Sequence, residues 1–216
     1  MTLHRTLRSF MIFGAAALTL APSVLARSAQ AAPSGLPTFG SVDIQKLQTQ
    51  SSKKARYDTE LKALADRLDT AFKQQAASIM LTKAEQTELG GLLSKVNPTE
   101  SDRTRAAVLQ TQSNKAAQEL TDLQQAKTPT PADTSRIAAL TSQYEAGKAA
   151  LQEIGDGYQA QLKKLSDQDN TDFTQSVREA IAAVAQQRGL SVVFTSDIAV
   201  YTTNDITEDV VKRINK

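Results

Sequence analysis

Of the 216 residues none is cysteine or tryptophan, and the one histidine is His4. Without cysteine no disulfide can form, so in an oxidising compartment the chain must draw its stability from packing or from association. With histidine confined to position 4, zinc sites and Ser-His or Cys-His nucleophile pairs lose residues they require. No G-x-x-x-x-G-K-[ST], G-x-G-x-x-G or G-x-S-x-G motif occurs. Asp and Glu are spread along helical stretches, where solvated faces and pairing with nearby cations account for them. The chain reads as a non-enzyme with no cofactor and no metal.

Charge of one sign is also scarce. Lys and Arg number 25 against 23 acids, a net +2. Residues 1–31 hold three arginines (Arg5, Arg8, Arg27) and no acid, so the remainder carries −1. That leaves no basic field for nucleic acid; membrane contact is possible but is not indicated by charge. The same 31 residues have the order of a secretory signal. A cationic start is followed by the Ala/Leu-rich run Ser9–Ala26, and then by Ala29-Gln30-Ala31 with small residues for cleavage after Ala31. A retained anchor is the alternative, but Pro22 and the Ala/Ser content make a poor spanning helix. Export to the periplasm is expected, and residues 32–38 read as a mobile, turn-rich lead-in.

Phe39–Ile44 alternates and reads as a short strand. From Gln45 the period becomes helical. Leu47, Leu61, Leu64, Leu68, Phe72 and Ile79 mark one side of a helix uninterrupted by Gly or Pro to Leu81. Three starts follow from capping chemistry: Thr82-x-x-Glu85, Thr99 after Asn97-Pro98, and Thr130 with Pro131 at the first helical position. The run 131–188 carries Ile137, Leu140, Tyr144, Gly147, Leu151, Ile154, Tyr158, Gln161 and Leu165 in steps of three and four, a coiled-coil seam. Phe173, Val177, Ile181 and Val184 continue it until Gly189 closes the helix. Segments 45–81 and 99–126 together roughly match 131–188 in length. An antiparallel hairpin spanning 45–188 is therefore expected, with its tip near 127–131, an interruption at 82–98 and a reach of roughly 80–90 Å. A tip near Asn97-Pro98 is the competing arrangement.

After Gly189, Ser191–Thr195 and Ile198–Tyr201 read as two apolar strands, and Asp205–Lys216 as a small amphipathic helix with Thr207 as its cap. Three short strands and one short helix bury too little apolar surface alone, and they leave exposed edges. Segments 39–44 and 189–216 are therefore expected to form a body completed by sister copies. The fold class is α+β and mostly α: a small β body made by oligomerisation, carrying a long coiled-coil arm.

Ser41–Leu47, Val177–Ala185, Leu190–Tyr201 and the tail Asp205-Ile206-Thr207-x-x-Val210 resemble the Skp/OmpH family of periplasmic chaperones for outer-membrane proteins. The resemblance implies a jellyfish-like homotrimer. It would act as an ATP-independent holdase whose arms enclose unfolded outer-membrane proteins and stop them aggregating. By position it assigns Val42, Ile44, Val192, Val193, Phe194, Ile198, Val200 and Tyr201 to the trimer body. Client-binding residues stay unassigned, because contacts are diffuse along the inner faces of the arms. Two departures stand out: the family's best-known member is strongly basic where this chain is near neutral, and Thr82–Ser101 makes the arm longer. A coiled-coil envelope scaffold or spacer that binds one fixed partner is the rival reading.

Overall fold

The computed structural model describes residues 36–199 and 201–216. The expected signal and most of the lead-in lie outside these residues, as does Val200. The described residues are mostly helical, with one two-stranded sheet. Strand β1 (Phe39–Val42) is followed by α1 (Ile44–Gln50), α2 (Ser52–Ala77), α3 (Lys83–Leu93), α4 (Glu100–Gln125) and α5 (Pro131–Gln187). Strand β2 (Val192–Thr195) and α6 (Thr207–Ile214) complete it. Among the described residues no helix is long and apolar enough to cross a membrane.

The first strand is shorter than its alternation suggests. It ends at Val42 because the Asp43 carboxylate accepts from the Lys46 amide at 3.0 Å and starts α1, which makes Ile44 a helical residue. β1 pairs in parallel with β2, Phe39 opposite Val192 and Val42 opposite Thr195. The lead-in is anchored at its end, since the Thr38 carbonyl accepts from the Ser191 and Val192 amides. The expected strand Ile198–Tyr201 is not formed by its described residues: Ser196–Ile198 is a turn, and Ala199 and Tyr201 are irregular. The chain reaches the other edge of β1 later. Ser41 donates to the Asn204 carbonyl at 3.0 Å and accepts from the Ile206 amide at 2.9 Å, a single bridge that does a strand's work.

Asp205-Ile206-Thr207 is a joint with three separate tasks. Asp205 Oδ1 accepts from the Thr207 amide at 2.9 Å and from its hydroxyl at 2.6 Å. The Thr207 hydroxyl in turn accepts from the Asp43 amide at 2.9 Å, tying α6 to the end of β1. Ile206 between them is fully buried. Ile206 is the N-cap of α6 and Thr207 its first helical residue rather than the cap; the Asp205 carboxylate that holds the Thr207 amide stands one residue before the cap. The Thr207 bonds hold the Asp205 carboxyl below the usual range. Acids in the first turn of α6 and cations in its last complement the helix dipole.

The core beneath the sheet takes Val42, Leu47, Ile206, Val210 and Val211, together with Phe173, Val177, Ala180 and Val184 from α5. The last turns of α5 and all of α1 are therefore part of this body. Ser51 breaks the helix expected over 45–81. Its hydroxyl caps α2 by accepting from the Lys54 amide, while Asn215 fills the gap. Asn215 Oδ1 accepts from the Ser52 amide at 2.8 Å, and its Nδ2 donates to the Gln50 carbonyl at 3.0 Å. Groups that a helix break leaves unpaired are satisfied by one side-chain amide 163 and 165 residues away.

Helix α5 has 57 residues, about 85 Å at the usual rise per residue. α2 runs antiparallel to its C-terminal part, with Lys53 bonded to Ser176 and Tyr158 to Gln75. α4 runs antiparallel to its start, where Arg136 and Glu119 form a two-bond ion pair at 2.6 and 2.7 Å. Thr82, Thr99 and Thr130 all head capping boxes, with Glu85, Asp102 and Asp133 reaching back. Gly189 follows α5 with φ +65°, the left-handed conformation in which glycine ends a helix without strain. Along the seam, Tyr144 and Gln161 turn out to solvent, and Leu162 is half-buried beside Gln161.

α3 folds back on the end of α2. Leu81, Leu89, Ala106 and Leu109 form a second core there, crossed by a buried polar cluster. No glycine closes α2, so its last carbonyls take a donor from α3 instead: Gln86 Nε2 donates to the Ser78 carbonyl at 2.6 Å. Gln75 Nε2 answers by donating to the Gln86 carbonyl at 2.7 Å.

One capping box has a pH signature. Asp102 is drawn down to about 2, first by the Lys95 ammonium and then by the Thr99 amide and hydroxyl. A folded-state value below the ordinary one favours the folded helix start above the ordinary aspartate range, and that gain fades as pH falls through about 2. Between pH of about 4 and about 2 the first turn of α4 is expected to loosen, visible as lost protection, relative to intrinsic exchange, of the Thr99, Asp102 and Arg103 amides. Asp102→Asn should remove this dependence, and an unchanged acid response in that variant would contradict the assignment.

Candidate functional site

The open side of the sheet is apolar. Phe39, Val192 and Phe194 are 47%, 40% and 36% exposed, Ile198 is 71% and Tyr201 is 86%. Soluble surfaces rarely leave such a contiguous group uncovered. The alternation of β2 is responsible, with Val192 and Phe194 pointing outward while Val193 leans on the body core. The Phe39 and Phe194 rings lie 5.9 Å apart at 30°. With Ile198, Tyr201 and Asn204 they line an open hollow of about 600 Å³. Among the described residues β2 pairs with β1 alone. Its outer edge therefore presents amides and carbonyls beside apolar side chains, the usual requirements for adding a strand from another chain.

The residues assigned to the trimer body fall into two groups. Val192, Phe194, Ile198 and Tyr201 lie on this surface. Val42 is buried in the chain's own core, with Ile44 and Val193 packed against it. A charge at Val193 would therefore strike the fold itself, whereas Phe194 or Ile198 tests the surface. Phe39 was not among the assigned residues, although its ring contributes as much surface as Phe194. An aromatic residue opening a strand was the available signal.

A second concave feature lies along the α2–α5 seam. Leu68, Phe72, Gly155, Tyr158 and Leu162 line a groove of about 470 Å³ with Asp69 and Asp156 at its lip. The Phe72 and Tyr158 rings meet edge to face, 6.5 Å apart at 73°. Burial raises the Tyr158 hydroxyl above its ordinary value, so it stays a neutral donor to Gln75. Packing here is thin, because α5 buries no side chain fully between Leu151 and Phe173. Glycine in a helix interior costs about 1 kcal/mol against alanine. The three interior glycines of α5 differ in what they return for that cost. Gly147 admits the Ile79 carbonyl to the helix surface, Gly155 faces the groove, and Gly157 faces open space.

Against known proteins, a family model described as outer membrane protein (OmpH-like) matches residues 99–214, more than half of the chain. The match takes in α4, α5, β2 and α6, and so Val192, Phe194, Ile198 and Tyr201 of the apolar surface and one wall of the groove, but not Phe39. No curated protein and no solved structure matches.

Proposed function

Because the chain belongs to the OmpH-like outer membrane protein family, we propose that it is a periplasmic chaperone for outer-membrane proteins. In this reading it works without ATP as a holdase. Three copies join through the open side of the sheet, and α2, α4 and α5 of each form a projecting hairpin arm. Unfolded clients are held between the arms and kept from aggregating. Export by residues 1–31 delivers the chain to that compartment.

One observation carries the reading: a single chain that packs its own core yet leaves Phe39, Val192, Phe194, Ile198 and Tyr201 exposed beside a strand edge that is unpaired among the described residues. A scaffold would also need assembly, but the thin, groove-bearing seam suits loose capture of many sequences better than tight binding of one partner. Loose capture needs no catalytic group, and the family's role is chaperoning. The direct test is light scattering from a urea-unfolded outer-membrane β-barrel protein diluted into buffer. Stoichiometric trimer should suppress the signal. Full aggregation, together with tight binding to one folded envelope protein, would favour the scaffold.

A further inference from the structure

Gly155 has no structural need to be glycine. It lies inside α5, and Gly189 is the described glycine with positive φ. A Cβ at Gly155 would sit 3.4 and 3.7 Å from the Phe72 ring, ordinary contact. Gly147 is different, since a Cβ there would collide with backbone. Alanine at 155 would fit and would favour the helix. Glycine leaves the Phe72 ring without a side chain against it on this side, in the groove that both residues line. The lip is unevenly charged. Asp69 is held by Lys73 at 2.7 Å, whereas Asp156 receives the Gln152 amide at 3.1 Å and no cation among the described residues.

We propose that this groove seats an aromatic side chain of an extended, unfolded polypeptide that carries Lys or Arg beside it. The proposal rests on the holdase reading and names what one part of the arm recognises. Phe72 and Tyr158, already edge to face, offer a third ring both a face and an edge. The unpaired Asp156 carboxylate favours a neighbouring cation and disfavours an acid. A single half-open seat of this kind binds weakly and releases readily, as a holdase requires.

The protein contains no tryptophan, so a peptide with one tryptophan reports its own burial by fluorescence. Two extended peptides serve, identical except that lysines or glutamates flank the tryptophan. The wild type should bind the lysine peptide more tightly. Gly155→Leu fills the groove and should weaken it about tenfold, the loss of one partly buried side chain. Gly155→Ala should weaken it less while melting no lower than wild type. Gly157→Leu, in the same helix but outside the groove, should bind as wild type does. Asp156→Asn should abolish the preference for lysine over glutamate. Equal affinity of Gly155→Leu and wild type would overturn the seat, as would an equal loss in Gly157→Leu. A lysine preference that survives Asp156→Asn would overturn the charge selection. If wild type suppresses aggregation and Gly155→Leu binds unchanged, the groove falls and the holdase stands. If wild type suppresses none and binds neither peptide, both fall.

Discussion

Gly147→Ala is expected to destabilise the protein by about 2–3 kcal/mol, although alanine is the better helix former. Two effects of opposite sign compete at this position. The propensity gain is about 1 kcal/mol. Against it, a Cβ would stand 1.9 Å from the Ile79 carbonyl oxygen and 3.0 Å from its carbon. These are backbone atoms in the turn between α2 and α3, so no rotamer change relieves the overlap. Either α5 moves away from the turn or the turn unwinds. Both disturb the contact of Gln143 with the Met80 carbonyl and the bond from the Met80 amide to Ser113 at 3.1 Å. Thermal melting should fall by about 5–10 °C for a chain of this size. Gly157→Ala, with nothing near its Cβ, should melt slightly higher than wild type. A Gly147→Ala protein at least as stable as wild type would mean that the turn does not rest on α5.

Phe194→Asp is expected to convert the proposed trimer to single chains while leaving each chain folded. Phe194 is partly exposed and packs beside Phe39 rather than inside the core, so one chain tolerates the change. In a closed assembly the new carboxylates would be buried against apolar neighbours, with a desolvation penalty of several kcal/mol for each. Sedimentation equilibrium at micromolar concentration should give about three times the chain mass for wild type and one chain mass for the variant. Circular dichroism should report unchanged helix content. Thr141→Asp, on an exposed turn of α5, adds the same charge elsewhere and should leave the mass at three. A wild-type monomer, or a Phe194→Asp trimer, would remove this surface from the assembly.

Local chemistry made much of the helical layout readable. Thr82, Thr99 and Thr130 each stand three residues before an acid, and each heads a helix, because a capping box is settled within four residues. Gly189 was readable for the same reason. Errors arose where a distant partner decided. Ser51 lies in a stretch without Gly or Pro, so the helical reading of 45–81 runs straight through it. The break there depends on Asn215, whose approach no local pattern foretells. Ile198–Tyr201 had the composition of a strand, but the free edge of β1 is taken by residues 204–206. Those residues hold their place through Asp205 and Thr207 rather than through β propensity. The candidate surface was legible as apolar residues in the right segment. Its division into an inward set (Val42, Ile44, Val193) and an outward set (Val192, Phe194, Ile198, Tyr201) followed only once β2 had a register.

Parallel pairing of Phe39 with Val192 has a consequence for the order of events during synthesis. The two strands are separated by almost the whole helical region, so closing them is entropically slow, whereas each helix needs only near neighbours. α2 to α5 can take shape while β1 waits without a partner. The adhesive face therefore does not exist on a nascent chain, and it appears only after β2 and α6 have emerged. Late completion of this kind would keep half-made copies from sticking to one another, a useful timing device for a chain with so exposed an apolar face.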